Sequence, residues 1–247
     1  MTDCAVIGGT GLNQLAGFTQ RAEHSRSTPY GEPSAPVQEG MLDGADVVFL
    51  PRHGSPHRVP PHLINYRANL WLLQELGVKK VLAVNAVGGV SAGAFPGALV
   101  VPDQIIDYTW GREHTWSDGV HAELEHIDFT SPYTASLRQR LLASAQECAI
   151  DCIDGGTYAA TQGPRLESAA EVQRLLRDGC DVVGMTGMPE ASLAAELGID
   201  YAAICLVVNA AAGLSDEPIT LAGMERIVEQ KMASIGVIIS RFLQSPH

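Results

Sequence analysis

The chain opens with a short apolar run that leads directly into glycines. Cys4–Ile7 is apolar, and Gly8-Gly9-Thr10-Gly11 follows without a spacer. This order predicts a buried strand that ends in a tight loop whose backbone N–H groups can face an anion. The dinucleotide-binding motif requires a third glycine, but Gln14 stands there and no helical pattern follows. No Gly-Lys-Ser/Thr follows either, so the loop is not a P-loop.

The acidic charge of the chain limits its partners. The 247 residues carry 16 Lys and Arg against 28 Asp and Glu, a net charge of −12. Nucleic acids and anionic membranes attract basic surfaces, so we expect neither as a partner. No apolar run approaches the roughly 18 residues that cross a bilayer. The odd number of scattered cysteines, five, and the absence of a signal-like N-terminus predict reduced thiols in a cytoplasmic protein.

Short apolar strands alternate with segments of helical spacing along the chain. Strands at 45–50 and 81–84 flank a helix at 63–77, which predicts parallel strands with a right-handed crossover. Further strands are predicted at 99–108, 157–161, 181–184 and 201–208, further helices at 131–149, 167–177, 189–197 and 220–243, and a long loop at 111–130. No linker or repeat divides the pattern, so the sequence predicts one α/β domain over residues 1–247.

Four predicted strands end in polar residues or glycine turns, at Thr10, Arg52, Asn85 and Asn209. Ligands of parallel sheets collect at the carboxyl ends of the strands, so these four loops are expected to share one cleft. An anion bound there needs a local cation. Because the chain has only three lysines, arginine is the expected residue.

Six motifs occur in order and span nearly the whole chain: Ile7-Gly-Gly-Thr-Gly-Leu12, Pro51-Arg-His-Gly54, Asn65-Tyr-Arg-Ala-Asn-Leu-Trp71, Asn85-Ala-Val-Gly-Gly89, Gly163-Pro-Arg-Leu-Glu167 and Gly184-Met-Thr-Gly-Met-Pro-Glu190. Together they resemble the trimeric purine nucleoside phosphorylases, especially the methylthioadenosine phosphorylase branch. The resemblance implies a three-layer α/β/α domain with a central mixed, largely parallel sheet. It also implies phosphorolysis of a purine nucleoside by inorganic phosphate in a cytosolic homotrimer, without metal or organic cofactor.

The positions that match the family's phosphate ligands are Thr10, Arg52, His53, Asn85, Ala86 and Thr186. Hydroxyl and backbone N–H groups donate to phosphate, and Arg52 is expected to add a bidentate, charge-assisted contact. Bound phosphate would be the nucleophile, against a transition state that resembles an oxocarbenium ion. The catalytic positions implied are His53 and Asn209.

A metal site is not expected. His53 and His57 are four residues apart, but Gly54 and Pro56 prevent the helix that would align them. His57 and His62 receive no role from the sequence.

The resemblance also assigns the nucleoside site. The ribose is expected over Met185, and Tyr66 either reaches the ribose or packs its own helix. Positions for the base are Leu166, Glu167, Asn209, Ala210 and Ala211. Asn209 stands where the methylthioadenosine branch has an aspartate, and its amide can donate to O6 and accept from N7–H. Glu167 matches a glutamate that accepts from N1–H of a 6-oxopurine.

The 5′ end of the sugar points to a thioether. Inosine and guanosine phosphorylases of this family place a histidine at the start of the last helix, where Thr220–Met224 has none. Leu221, Ala222 and Gly223 are expected to form a small apolar wall, and His126 resembles a residue contributed by a neighbouring subunit.

The predicted reaction is therefore phosphorolysis of S-methyl-5′-thioinosine to hypoxanthine and 5-methylthioribose 1-phosphate. The alternatives are a methylthioadenosine phosphorylase, a general inosine and guanosine phosphorylase, a hydrolytic nucleosidase, and a purine-binding module without catalysis.

Overall fold

The computed structural model describes residues 3–9, 12, 16–117, 119–120 and 123–245. The strands are β1 (Cys4–Gly8), β2 (Phe18–His24), β3 (Val37–Leu42), β4 (Ala45–Pro51), β5 (Lys80–Gly89), β6 (Leu99–Val101), β7 (Gln104–Asp107), β8 (Ile153–Asp154), β9 (Thr157–Ala160), β10 (Val182–Gly184) and β11 (Asp200–Ala210). The helices are α1 (Tyr66–Glu75), α2 (Ala135–Glu147), α3 (Ala169–Arg177), α4 (Gly187–Glu196) and α5 (Leu221–Gln244), and a 3₁₀ turn covers Pro61–Leu63.

The eleven strands of the described residues join in one sheet. At its centre, β1 lies between β4 and β5 and is parallel to both, and β11 adds a fourth parallel strand beside β5. β10 pairs antiparallel with the end of β5, on the edge opposite β11. β9 is parallel to β10, and β7 is parallel to β9. The predicted crossover therefore places β1 between the two strands that flank α1. The sheet is mixed and largely parallel, as the resemblance implied.

Helices cover both faces of this sheet because strand side chains alternate between the faces. Ala5 and Ile7 of β1 pack in one core cluster with α1 and α4. Cys4 and Val6 point the other way and pack in a second cluster with α2 and α5. The predicted three-layer α/β/α class is confirmed.

Helix α5 shows how one face of a long helix covers the sheet. Its 24 residues bury Ile235, Ile238, Ile239 and Phe242, which follow one another at the spacing of a single helix face. None of the helices in the described part of the chain has both the length and the apolar character of a membrane span.

Three predicted elements differ from the structure. The polar stretch before Pro29 contains the edge strand β2, whose mostly exposed residues give no apolar alternation. The predicted turn Asn85–Gly89 is instead the end of β5, because β10 and β11 both pair with it there. The predicted strand at 99–108 is two strands, β6 and β7, with Pro102 between them, which has no N–H to donate to a ladder.

Candidate active site

A cavity of about 700 Å³ lies at the carboxyl ends of the central parallel strands. Gly9 after β1, Arg52 after β4, Asn85 on β5 and Asn209 near the end of β11 all line it. Three of these are the strand-end residues from which a shared cleft was predicted. The fourth, Thr10, lies outside the described residues. The fold thus brings the described strand ends into one cavity, as expected for parallel strands.

The other residues predicted to hold phosphate line the same cavity: Arg52, His53, Asn85, Ala86 and Thr186. All except Ala86 are buried. The Thr186 hydroxyl donates to Oδ1 of Asn85 over 3.4 Å, which joins β5 to the turn before α4. These residues surround the cavity with hydroxyl, amide and guanidinium groups, the donors that an oxyanion prefers.

Arg52 is fully buried and its guanidinium is already engaged in a bidentate ion pair. Nε and Nη2 donate to the two carboxylate oxygens of Glu190 at 2.7 and 2.8 Å, and Nη1 donates to the Val84 carbonyl at 3.0 Å. Burial opposes the charge of Arg52, but the Glu190 carboxylate outweighs it and raises the pKa of the guanidinium. The bidentate contact that was predicted for phosphate is thus made, through Nε and Nη2 of Arg52, with Glu190. Of the five N–H groups of an arginine, one on each Nη is left for an anion.

The His53 ring is a neutral acceptor in this setting. Nδ1 lies 2.8 Å from the Val59 carbonyl, which can only accept, so Nδ1 carries the proton. Burial and then the positive charge of Arg52 lower the pKa of His53 to about 4. Nε2 therefore keeps its lone pair at pH 7, and it can accept from the P–O–H of a monohydrogen phosphate. His57, which also lines the cavity, stacks on His53 with ring centroids 4.3 Å apart.

Four of the five residues predicted for the base line the cavity: Leu166, Glu167, Asn209 and Ala211. The Thr161 hydroxyl donates to Oε1 of Glu167 at 2.6 Å and fixes this carboxylate. Nδ2 of Asn209 donates to the Ala210 carbonyl at 2.7 Å, which leaves Oδ1 and one N–H for a ligand. Ala210 itself is absent from the lining. The Ala210 carbonyl instead accepts the hydrogen bond from Asn209, and a contact of Ala210 with the base stays a prediction.

Met185 lines the cavity, while Tyr66 does not. The Tyr66 hydroxyl is buried, donates to the Pro61 carbonyl at 3.0 Å and lies 3.3 Å from Nη1 of Arg112. The Tyr66 side chain lies in the core cluster that packs α1 against the sheet, and a contact with the ribose stays a prediction. Gly163 lies so close to Met185 that a Cβ atom at position 163 would overlap Sδ.

The 5′ wall consists of one face of α5. Leu221, Met224 and Val228 line the cavity, together with Ile219 just before the helix and the carboxylates of Glu225 and Glu229 on α5. The predicted Ala222 and Gly223 do not line it, because residues one and two positions after Leu221 turn away while those three or four positions on share its face. His126 is exposed and does not line the cavity of its own chain.

The motifs that shape this cavity recur in known proteins. Residues 3–244 match the Phosphorylase superfamily. The chain belongs to this superfamily. The resemblance found in the sequence motifs is thereby confirmed.

Three relatives of this phosphorylase-superfamily chain are informative. A protein of Pseudomonas syringae pv. tomato named probable S-methyl-5′-thioinosine phosphorylase is 51% identical, over 99% of this chain and all of its own length. The 6-oxopurine nucleoside phosphorylase of Pyrococcus furiosus is 41% identical, over 97% of this chain and 91% of its own. Among solved structures, methylthioadenosine phosphorylase from Schistosoma mansoni in complex with adenine superposes with a TM-score of 0.93 at 30% identity, covering 98% of this chain and 91% of its own.

Two charged residues that build the site of this superfamily member were not predicted from the sequence. Glu190 belongs to a recognised motif, but only the fold shows that it neutralises Arg52. The signal available in the sequence was that Glu190 is a charged residue at the start of a mostly apolar helical segment. Arg112 lies in the segment predicted as a long loop, where its sequence neighbours carry no pattern that indicates burial.

Proposed function

We propose that this superfamily member is an S-methyl-5′-thioinosine phosphorylase. A phosphate oxygen forms a bond to C1′ while the bond from C1′ to the purine nitrogen breaks, and its electron pair leaves with the base. The base takes up one proton, which balances the proton that monohydrogen phosphate loses on becoming the 1-phosphate. The products are hypoxanthine and 5-methylthioribose 1-phosphate. The observation that carries the proposal is a single cavity that combines Asn209 and Glu167 with the apolar side chains of Leu221, Met224 and Val228.

The base preference rests on hydrogen-bond complementarity. A 6-oxopurine offers O6 as an acceptor and N1–H as a donor, whereas a 6-aminopurine reverses both. Asn209 has an N–H to give to O6, and Glu167 has a carboxylate oxygen to accept from N1–H. A site built to hydrogen-bond one edge of a substrate rejects an analogue with the wrong hydrogen-bonding groups by about 10⁴-fold or more. The name of the Pseudomonas relative supports the same preference.

The 5′ preference rests on the α5 face. Leu221, Met224 and Val228 offer carbon and sulphur atoms beside the carboxylates of Glu225 and Glu229, and no histidine occurs in α5. A methylthio group packed against these three apolar side chains gains about 1–2 kcal/mol, a gain that a 5′-hydroxyl does not make.

The chemistry needs no protein nucleophile and no organic cofactor or metal. Inorganic phosphate is the co-substrate, held by Arg52, Asn85 and Thr186 with His53 as acceptor. Within the described residues no group of three or more His, Cys, Asp or Glu is arranged to hold a metal ion. The charge on the anion pocket is local, since the chain as a whole is acidic.

The proposed assembly is a cytoplasmic homotrimer. Leu221 lines the cavity yet is 74% exposed in the single chain, and apolar lining residues of this kind are expected to be covered. His126 of a neighbouring subunit is proposed as that cover. Light scattering that gives the mass of a monomer would refute this part of the proposal.

The deciding experiment compares kcat/KM for S-methyl-5′-thioinosine, S-methyl-5′-thioadenosine and inosine, each with and without phosphate. We expect methylthioinosine to lead by about 10²-fold or more over methylthioadenosine, and by about 10-fold over inosine. A lead for methylthioadenosine would refute the base argument, and equal use of inosine would refute the 5′ argument. Cleavage that does not depend on phosphate would indicate a nucleosidase.

A further inference from the structure

A buried arginine outside the cavity ties the walls of the site together. Arg112 is only 9% exposed and is absent from the cavity lining. Its guanidinium donates to six oxygens of five residues at 2.6–3.3 Å, namely those of Tyr66, Thr161, Gln162, Met185 and Met188, with Gln162 contributing both its carbonyl and its side chain.

These oxygens belong to three segments that are far apart in sequence. Thr161 and Gln162 lead directly into the turn that carries Glu167. Met185 and Met188 enclose the turn that contains Thr186, and their carbonyls both accept from Nη1, at 2.9 and 2.6 Å. The third segment is the start of α1. One planar group thus sets the distance between the base-binding turn and the turn that holds ribose and phosphate.

Only arginine can serve such a set of acceptors. The guanidinium fork presents five N–H groups within one plane, and one N–H on Nη1 is shared between two acceptors. A lysine ammonium presents only three N–H groups on a flexible stem. None of the partners of Arg112 among the described residues is a carboxylate. The arrangement therefore resembles a scaffold for backbone carbonyls rather than an ion pair.

We infer that Arg112 is a positioning residue for phosphorolysis, which holds Glu167 and Met185 in the mutual register that a nucleoside must span. The inference rests on the proposed function. It implies that loss of Arg112 affects base discrimination as well as rate. Glu167 reaches N1 of the base only when Arg112 holds the base-binding turn at the correct distance from the ribose-binding turn.

Arg112→Met and Arg112→Lys test this, with Arg138→Met as the matched control. Arg138 is also mostly buried and also donates to backbone carbonyls, those of Val101 and Pro102, but it does not line or adjoin the cavity. We expect Arg112→Met to lower kcat/KM for methylthioinosine by about 10²-fold, the loss that misplacement by about 1 Å produces. We expect the preference for methylthioinosine over methylthioadenosine to fall about 10-fold or more.

The lysine variant separates geometry from charge. It keeps the charge without the fork, so we expect it to lose discrimination as the methionine variant does. Full recovery in Arg112→Lys would show that charge alone matters and would overturn the inference. So would a discrimination ratio within about twofold of wild type in both variants, as expected for Arg138→Met.

Binding of free bases keeps this test separate from the proposed function. Calorimetry gives the affinities of hypoxanthine and adenine for wild type and variants without any turnover. A wild type that cleaves none of the nucleosides refutes the proposed function, and the affinity ratio still measures Arg112. An unchanged hypoxanthine-to-adenine ratio in Arg112→Met and Arg112→Lys overturns the inference.

Discussion

In the proposed function, Asn209 selects a purine through the two ends of one amide. Replacing its NH₂ by a carboxylate oxygen in Asn209→Asp removes the donor to O6 and supplies an acceptor for a 6-amino group. We expect the kcat/KM ratio of methylthioinosine to methylthioadenosine to fall by about 10²-fold. Part of the preference should remain, because Glu167 still accepts from N1–H of the 6-oxopurine. The KM for phosphate serves as the internal control and should stay the same. An unchanged substrate ratio would show that Asn209 does not read the base.

His53 makes stability depend on pH. Its pKa is lowered to about 4 from an ordinary 6.5, so the unfolded chain binds more protons than the folded chain between these values. Stability is therefore full above pH 6.5 and decreases as the pH falls toward 4, by about 3 kcal/mol from this residue. We expect the free energy of unfolding of His53→Gln to fall less over this pH range, because glutamine does not take up a proton on unfolding.

The measurement is urea unfolding of wild type and His53→Gln at several pH values between 4 and 7. Phosphate-free buffer is the control condition, because an anion bound next to His53 would shift the same equilibrium. Parallel curves for the two proteins would contradict the burial of a neutral ring at this position.

At the level of elements, the turns proposed to bind the base and the ribose fit together at one glycine. Gly163 has φ +62°, and a Cβ atom there would overlap Sδ of Met185. Gly163→Ala therefore combines backbone strain with displacement of the ribose platform. We expect kcat/KM for methylthioinosine to fall by about 10–10²-fold, measured at saturating phosphate.

Gly179 supplies the matched control for that substitution. Its φ is +83°, but a Cβ atom added there would meet no atom within 4 Å, so Gly179→Ala introduces strain without a clash. Both variants should lose stability, while only Gly163→Ala should lose catalytic efficiency. Equal kcat/KM in the two variants would show that Met185 does not need its present position.

The strands with continuous apolar runs were predictable, whereas β2 and β3, in which polar residues interrupt the apolar ones, were not. Val81–Val84 and Tyr201–Val208 are apolar because helices cover both faces of the central sheet. β2 has exposed residues on both sides, so its sequence shows no alternation of apolar and polar residues. The extension of β5 through Gly88 and Gly89 depends on its pairing with β10 and β11. Glycines in a strand are indistinguishable from glycines in a turn without that partner.

On the scale of the whole molecule, the sequence predicted which strand ends meet but not the contacts between distant residues. Arg52 could be placed in the site because it follows a strand. Its partner Glu190 is 138 positions away, and no local pattern relates the two. Arg112 was missed for the same reason. Pairwise contacts of buried polar groups depend on how the layers pack, whereas strand ends depend on local composition.

The proposed contribution of a neighbouring subunit to the 5′ pocket can be tested by mixing subunits. His126→Ala removes the proposed cover over Leu221 while leaving the base site intact, and Asn209→Ala removes base recognition while leaving His126 intact. In a mixed trimer, an Asn209 site can receive His126 from an Asn209→Ala neighbour. We therefore expect the co-expressed mixture to exceed the mean activity of the two separate variants on methylthioinosine.

The size of the gain follows from the thioether contact. Loss of His126 is expected to cost about 1–2 kcal/mol, or roughly 10-fold in kcat/KM, and only for substrates with a 5′-methylthio group. Inosine should show no comparable loss in His126→Ala, which makes it the control substrate. A mixture whose activity equals the mean of the two variants would mean that each chain completes its own site. Leu221 would then face solvent in the working enzyme, and the preference for a thioether would have to arise from Ile219, Met224 and Val228 alone.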